Sequence, residues 1–167
     1  QNRPWVAWDE SGINWGKDQG FLIPTSLGFP LHKERTVRVV RWDGSQWVEP
    51  QKRPGEVWPA GFRENSEHPQ IAFDGKGMLH VLFRRWTRRN ARAIGSPQVW
   101  ENYLALFDGS SWSTPRPLIH SGGSIEKHPR MTRDPRGELW AAWMTDERPF
   151  ATMVPQNAEV YVSRLGA

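Results

Sequence analysis

Apolar residues along this chain come in short runs, such as WVAW (Trp5–Trp8), YLALF (Tyr103–Phe107) and WAAW (Trp140–Trp143), separated by polar, turn-forming stretches. No run longer than about ten residues keeps a 3.6-residue apolar period, so long helices are not expected. Fifteen Gly and 14 Pro punctuate the 167 residues, which favours many short strands.

The runs recur in order. HPQIAFDGKGMLHVLF (His68–Phe83) aligns without a gap on HPRMTRDPRGELWAAW (His128–Trp143), 60 positions later. Each copy reads as His-Pro, a strand ending in Asp, an Asp-x-x-Gly turn and a second strand, because Asp accepts backbone N–H groups in a turn and Gly supplies positive φ. A second phrase, WDGSQWVEP (Trp42–Pro50), returns as FDGSSWSTP (Phe107–Pro115), 65 positions later. There Tyr103–Phe107 predicts a third strand, Asp108-Gly109 a tight turn and Ser111–Thr114 a fourth strand. Trp47 and Trp112, four residues past their turn Asp, are expected to point into the layers between neighbouring sheets.

A period near 60 with four short strands per unit predicts an all-β fold, a partial β-propeller of three four-stranded antiparallel blades whose end blades are incomplete. The blade-like units span 1–52, 68–117 and 128–167. In the last, Pro129–Asp134, Glu138–Met144 and Glu159–Leu165 read as strands. The first unit admits two registers. In one, Pro4–Asp9 aligns with His68–Asp74 as an innermost strand; in the other, Trp5–Trp8 aligns with Trp140–Trp143 as a second strand. The first register requires Asn14–Gly20 to be a strand, and its two Gly with Lys, Asp and Gln make a poor one, which favours the second. Three units do not close a ring, since propellers have about four blades or more. The expected partners are therefore the remaining blades, from a longer polypeptide of which this chain is an excerpt or from other chains, two copies giving six blades being the simplest assembly.

Composition narrows the functional classes. There is no Cys, so neither a disulfide framework nor a thiolate metal site exists. No apolar stretch of about 18 residues is present to span a membrane. The chain opens at Gln1 with no basic and apolar leader, so no export signal is expected within it. The formal charge of +4 comes from 17 Arg and only five Lys. Arg offers a bidentate fork to carboxylate, sulfate or phosphate, but a basic balance alone does not point to nucleic acid.

Two resemblances follow from the motifs. The Asp-Gly-Ser-x-Trp phrase resembles the Asp-box of sialidase-like propellers, with Arg41 or Leu106 where that box has Ser. Sialidase activity is not carried over, because Tyr103 and Tyr161, the only tyrosines, fall mid-strand beside apolar neighbours. WVAWDESGINWGKDQG (Trp5–Gly20), LHKERTVRV (Leu31–Val39) and HPQIAFDGKGMLHVLFRRW (His68–Trp86) resemble the propeller region of a large bacterial family of unknown function. In that family the propeller precedes a metal-dependent hydrolase-like domain related to the polymerase-and-histidinol-phosphatase group. The resemblance implies that any metal cluster lies outside these 167 residues. The chain has no His-x-His, no His-Glu-x-x-His and no acidic cluster at ligand spacing, and no cofactor is expected.

Three segments are candidates for ligand binding. The long connection Asp9–Arg35 carries Trp15, Lys17, Asp18, His32 and Arg35 and reads equally as functional, a lid or a subunit contact, and as plain structure. RRWTRRNAR (Arg84–Arg92) holds five Arg around one Trp. Strand alternation sends Arg84 and Trp86 one way and Arg85 the other, which suits a sulfated or uronic-acid sugar with Trp86 stacked on it, single-stranded nucleic acid, which wants similar parts, or a solvated loop. His68 and His128 open equivalent innermost strands and face the mouth of the central channel, where they bind a ligand or cap the strand start. Asp146 and Arg148 follow the second strand of the last unit, where Arg84–Trp86 follow that of the middle one.

No catalytic constellation emerges. The residues point to a non-catalytic propeller segment of an extracellular or envelope protein that binds or scaffolds, with neutral or anionic polysaccharide as the expected ligand. The alternatives are the substrate-binding part of a hydrolase, with Asp18, Glu34, Asp146 and Glu147 as its available loop carboxylates, and a structural assembly subunit.

Overall fold

The structure is a computed structural model that describes residues 3–11, 35–50, 65–88, 98–123, 128–146 and 158–166. Among them are ten strands and no helix, so none long and apolar enough to cross a membrane. β1 (Trp5–Glu10), β2 (Thr36–Trp42) and β3 (Trp47–Val48) form the first sheet. β4 (Ser66–Phe73), β5 (Leu79–Arg88), β6 (Gln98–Phe107) and β7 (Arg116–Pro117) form the middle sheet in that order. β8 (Arg130–Arg133), β9 (Leu139–Thr145) and β10 (Glu159–Arg164) form the third. All pairings are antiparallel between chain neighbours, and no sheet closes into a barrel.

The first sheet resolves the choice of register. β1 pairs with β2 from Trp5↔Arg41 to Glu10↔Thr36, and β2 runs into the Asp43-Gly44 turn. β5 pairs with β6 in the same way before Asp108-Gly109. Trp5–Trp8 therefore stands in the position that β5 holds in the middle sheet, and Pro4–Asp9 does not take the position of β4. One expected element is displaced. Trp112 enters the ladder through an isolated bridge to Phe107, and the fourth strand is the two residues of β7. Ser113 N–H donates to the Leu106 carbonyl, but the Leu106 N–H donates to the Ser113 hydroxyl at 2.9 Å instead of to backbone. Pro115 then lacks a donor, so the ladder resumes only at Arg116.

Each sheet turns on an aspartate at one end. Asp74 Oδ1 accepts from the N–H groups of Lys76 and Met78, and Asp134 Oδ1 from those of Arg136 and Glu138, all at 2.9 Å. Asp43 Oδ1 accepts from Ser45 and Gln46, and Asp108 Oδ1 from Ser110 and Ser111. Gly77 and Gly137, at φ of +83° and +85°, take the left-handed positions that the turns demand. The backbone N–H groups of Gln46 and Ser45 lower the Asp43 carboxyl to about 2, and those of Ser110 and Ser111 hold Asp108 lower still. A depressed carboxylate contributes its stability in full above the unfolded value, 3.8 here, and loses it as pH falls through the folded one. Carboxyl-carbon NMR titration is expected to place the Asp43 midpoint near 2; a midpoint at 3.8 would mean that the turn does not form as described.

The middle sheet is covered on both faces, which is why β5 begins with an almost unbroken apolar run. Leu79, Val81 and Phe83, with Ala105 and Phe107, pack on Val37 and Val39 of the first sheet. Leu82 and Leu104 pack on Leu139, Ala141, Trp143 and Leu165 on the side of the third. Trp5 inserts its ring edge-on against Phe73, centroids 5.5 Å apart. Trp112 reaches the first layer as expected and donates to the Pro50 carbonyl at 3.0 Å. Trp47 does not: it is 49% exposed, because the sheet face that carries it has no neighbour among the described residues. Packed sheets usually stand about 10 Å apart. Along β4 the backbones come closer, with Cα atoms within 8 Å of β1 and β2 on one side and of β8 on the other. The three sheets converge on that edge.

Candidate functional site

Up-and-down pairing places the aspartate turns at one end of the sheets. The ends of β1, β5 and β9 and the starts of β2, β4, β6, β8 and β10 gather at the other end, and at the convergent edge this rim carries the site.

Its organising feature is a break in β4. Glu67 pairs with Arg84 and Gln70 with Leu82, so His68 and Pro69 together oppose Phe83, a β-bulge. Proline has no N–H to give the ladder. His68 takes φ of +55°, and its N–H turns away from β5 to donate to Asp9 Oδ2 in β1 at 2.8 Å. The bulge thus aims the His68 ring out of the sheet, where it meets the His128 ring edge-to-face at a centroid distance of 3.9 Å. Burial, followed by the Arg84 charge, lowers the His68 pKa from 6.5, with Glu67 opposing. The imidazole is therefore neutral at pH 7, offering one donor and one acceptor.

Behind the histidines lies a buried ion network. Glu67 is fully buried and Arg84 is 2% exposed. Arg84 Nε donates to Glu67 Oε1 at 2.8 Å and Nη2 donates to the same oxygen. Arg35 Nη1 donates to Glu67 Oε2 at 2.7 Å and lies 3.6 Å from Asp9 Oδ1. Two carboxylates and two guanidiniums of the described residues meet here, and the network ties the first sheet to the middle one. The Ser66 N–H, donating to the Arg35 carbonyl at 3.0 Å, adds a backbone tie at the same place.

Of the arginine–tryptophan segment, Arg84, Arg85 and Trp86 lie against neighbouring rings. Arg84 lies over the Trp100 ring at 4.2 Å, and Trp86 stacks on Trp100 at 6.0 Å with an 18° interplanar angle. Arg85 lies on the opposite face, over Tyr103 at 5.8 Å. The expected alternation holds, and it spends Arg84 on the ion pair. Asp146 is 7% exposed and sits against Gly123, which exchanges two backbone hydrogen bonds with Trp100. Asp146 and the Arg84–Trp86 segment thus share the rim, joined through Trp100.

In front of the network opens a cleft of about 450 Å³, bounded by Asp9, His68, Gln70, His128 and Arg130, with Ala7, Trp8 and Pro69 completing its wall. It mixes donors and acceptors: two imidazoles, an amide, a guanidinium and a carboxylate. Among the described residues no three side chains gather to hold a metal ion.

Of the sequence-derived candidates, the structure brings His68, His128 and Arg35 to this rim directly and Arg84, Arg85, Trp86 and Asp146 around it. Trp15, Lys17, Asp18, His32 and Arg148, with Glu34 and Glu147, lie outside the described residues. Sequence reading missed Glu67, Asp9, Gln70 and Arg130. Glu67 had one usable signal: counted across a His68-Pro69 bulge, it falls opposite Arg84. Comparison of the chain with protein-family models, curated proteins and solved structures finds no match.

Proposed function

We propose that this chain is a run of β-propeller blades that carries out no chemistry of its own and binds carbohydrate in the cleft at its convergent edge. Radial arrangement is supported by the approach of β1, β2 and β8 to β4 and by recurrence of one strand–turn order in all three sheets. Propeller ligands sit where such inner edges meet.

The observation that carries the binding reading is the contact of His68 with His128 beside Gln70, Asp9 and Arg130. A sugar presents many hydroxyls, each both donor and acceptor, and a neutral imidazole, an amide and a carboxylate answer them in kind. Arg130 adds a cation that suits the carboxylate of a uronic acid. Glu67 is no candidate acid–base group, since its oxygens are taken by Arg84 and Arg35 away from solvent.

Affinity electrophoresis of the chain through gels containing neutral or uronic-acid polysaccharides tests the reading. Retardation is expected in at least one gel, and His128→Ala should weaken it about tenfold, the loss of one well-placed hydrogen bond. Absence of retardation in every gel, or equal retardation of the variant, would refute binding at this cleft.

A further inference from the structure

The two end sheets each expose one face rich in apolar side chains, the first sheet's also carrying Arg38 with Glu10 and Glu49, and the interfaces inside the molecule show what fits them. Aligned on the repeat, Trp5, Ala7, Val37 and Val39 of the first sheet correspond to Trp140, Ala142, Val160 and Val162 of the third. The four residue types are identical. In the first sheet this set packs against the middle sheet, with Val37 and Val39 at 1% and 0% exposure. In the third it faces outward, with Val160 and Val162 at 65% and 63%.

The complementary face repeats as well. Val81, Phe83, Phe107 and Trp112 of the middle sheet receive the first sheet. Their counterparts on the first sheet are Val6, Trp8, Trp42 and Trp47, which lie on its outer face. Val81 and Phe83 are fully buried, whereas Val6 and Trp8 are 43% and 37% exposed. One molecule thus carries both halves of an interface it has already built once. Contiguous apolar faces of this kind mark interaction surfaces.

We propose that the outer face of the third sheet receives the outer face of the first sheet of a second copy of this chain, packed as the middle sheet packs on the first. The contact is head-to-tail, and with two copies it forms twice at once. The partner's third sheet covers Trp8 and so walls the histidine cleft on that side. The inference stands on the two faces and is independent of the ligand bound there.

Two variants test it, Val6→Glu on one face and Val162→Glu on the other, with far-UV circular dichroism confirming that both stay folded. By light scattering the unaltered chain is expected at twice 19.3 kDa, and each variant alone at the monomer mass. An equimolar mixture of the variants should recover the dimer mass, because one of its two contacts joins unaltered faces. A monomeric unaltered chain, as expected if further sheets of one longer polypeptide are the true occupants, would overturn the proposal. So would a dimer or aggregate that both variants leave intact, or a mixture that stays monomeric.

Discussion

Glu67→Ala is expected to cost about 3–5 kcal/mol, because removing one partner of a buried ion pair leaves the other charge uncompensated. Arg84 cannot recover by reaching solvent: it is 2% exposed, clamped between Glu67 and the Trp100 ring. Arg35 loses its 2.7 Å partner in the same stroke, while Asp9 lies farther off, at 3.6 Å. For a chain of this length the cost amounts to a fall in melting temperature of roughly 6–20 °C. The double variant Glu67→Leu with Arg84→Met should regain most of that loss, since an apolar pair of similar volume removes both desolvation penalties. Thermal unfolding by tryptophan fluorescence reads both. A single variant within about 1 kcal/mol of the parent would show that the network is solvated and not buried.

Phe83→Ala is expected to cost a similar amount, about 3–5 kcal/mol, through lost burial and the cavity left behind. Phe83 is fully buried at the centre of the layer between the first and middle sheets, stacked near Tyr103 at 6.0 Å. The informative comparison is Trp8→Ala at the equivalent position of the first sheet. Trp8 is 37% exposed with no neighbouring sheet among the described residues, so in the isolated monomer its loss should cost much less. Urea unfolding of the two variants, each in the monomeric Val162→Glu background, measures the difference. Equal costs would mean that the face carrying Trp8 is covered as fully as the face carrying Phe83.

Much of the fold was legible from local signals. The aspartate turns were expected where they occur because Asp74, Asp108 and Asp134 close their own turns with their own side chains, over four residues or fewer. The strand runs Glu138–Met144 and Glu159–Leu165 fall within a residue of β9 and β10 at each end, since alternation is written residue by residue. The fourth strand was misplaced because Ser113 substitutes its hydroxyl for a backbone acceptor, a choice that composition does not announce. Trp47 and Trp112 share one motif yet differ in environment, because a motif specifies the direction of a ring and not what stands opposite it.

The site was legible only in part. His68 and His128 were singled out by their repeated place ahead of Pro, but that their rings touch depends on the convergence of two sheets. Arg84 looked like a ligand group because five arginines crowd one segment; Glu67, 17 residues away, claims it across a bulge. The amino-acid sequence by itself determined the strands, their turns and which face of each strand is apolar, since these depend on neighbours along the chain. Only the tertiary structure decided which charges are buried together, which histidines meet and which apolar faces are left uncovered. Those outcomes depend on which groups from distant strands share a space from which water is excluded.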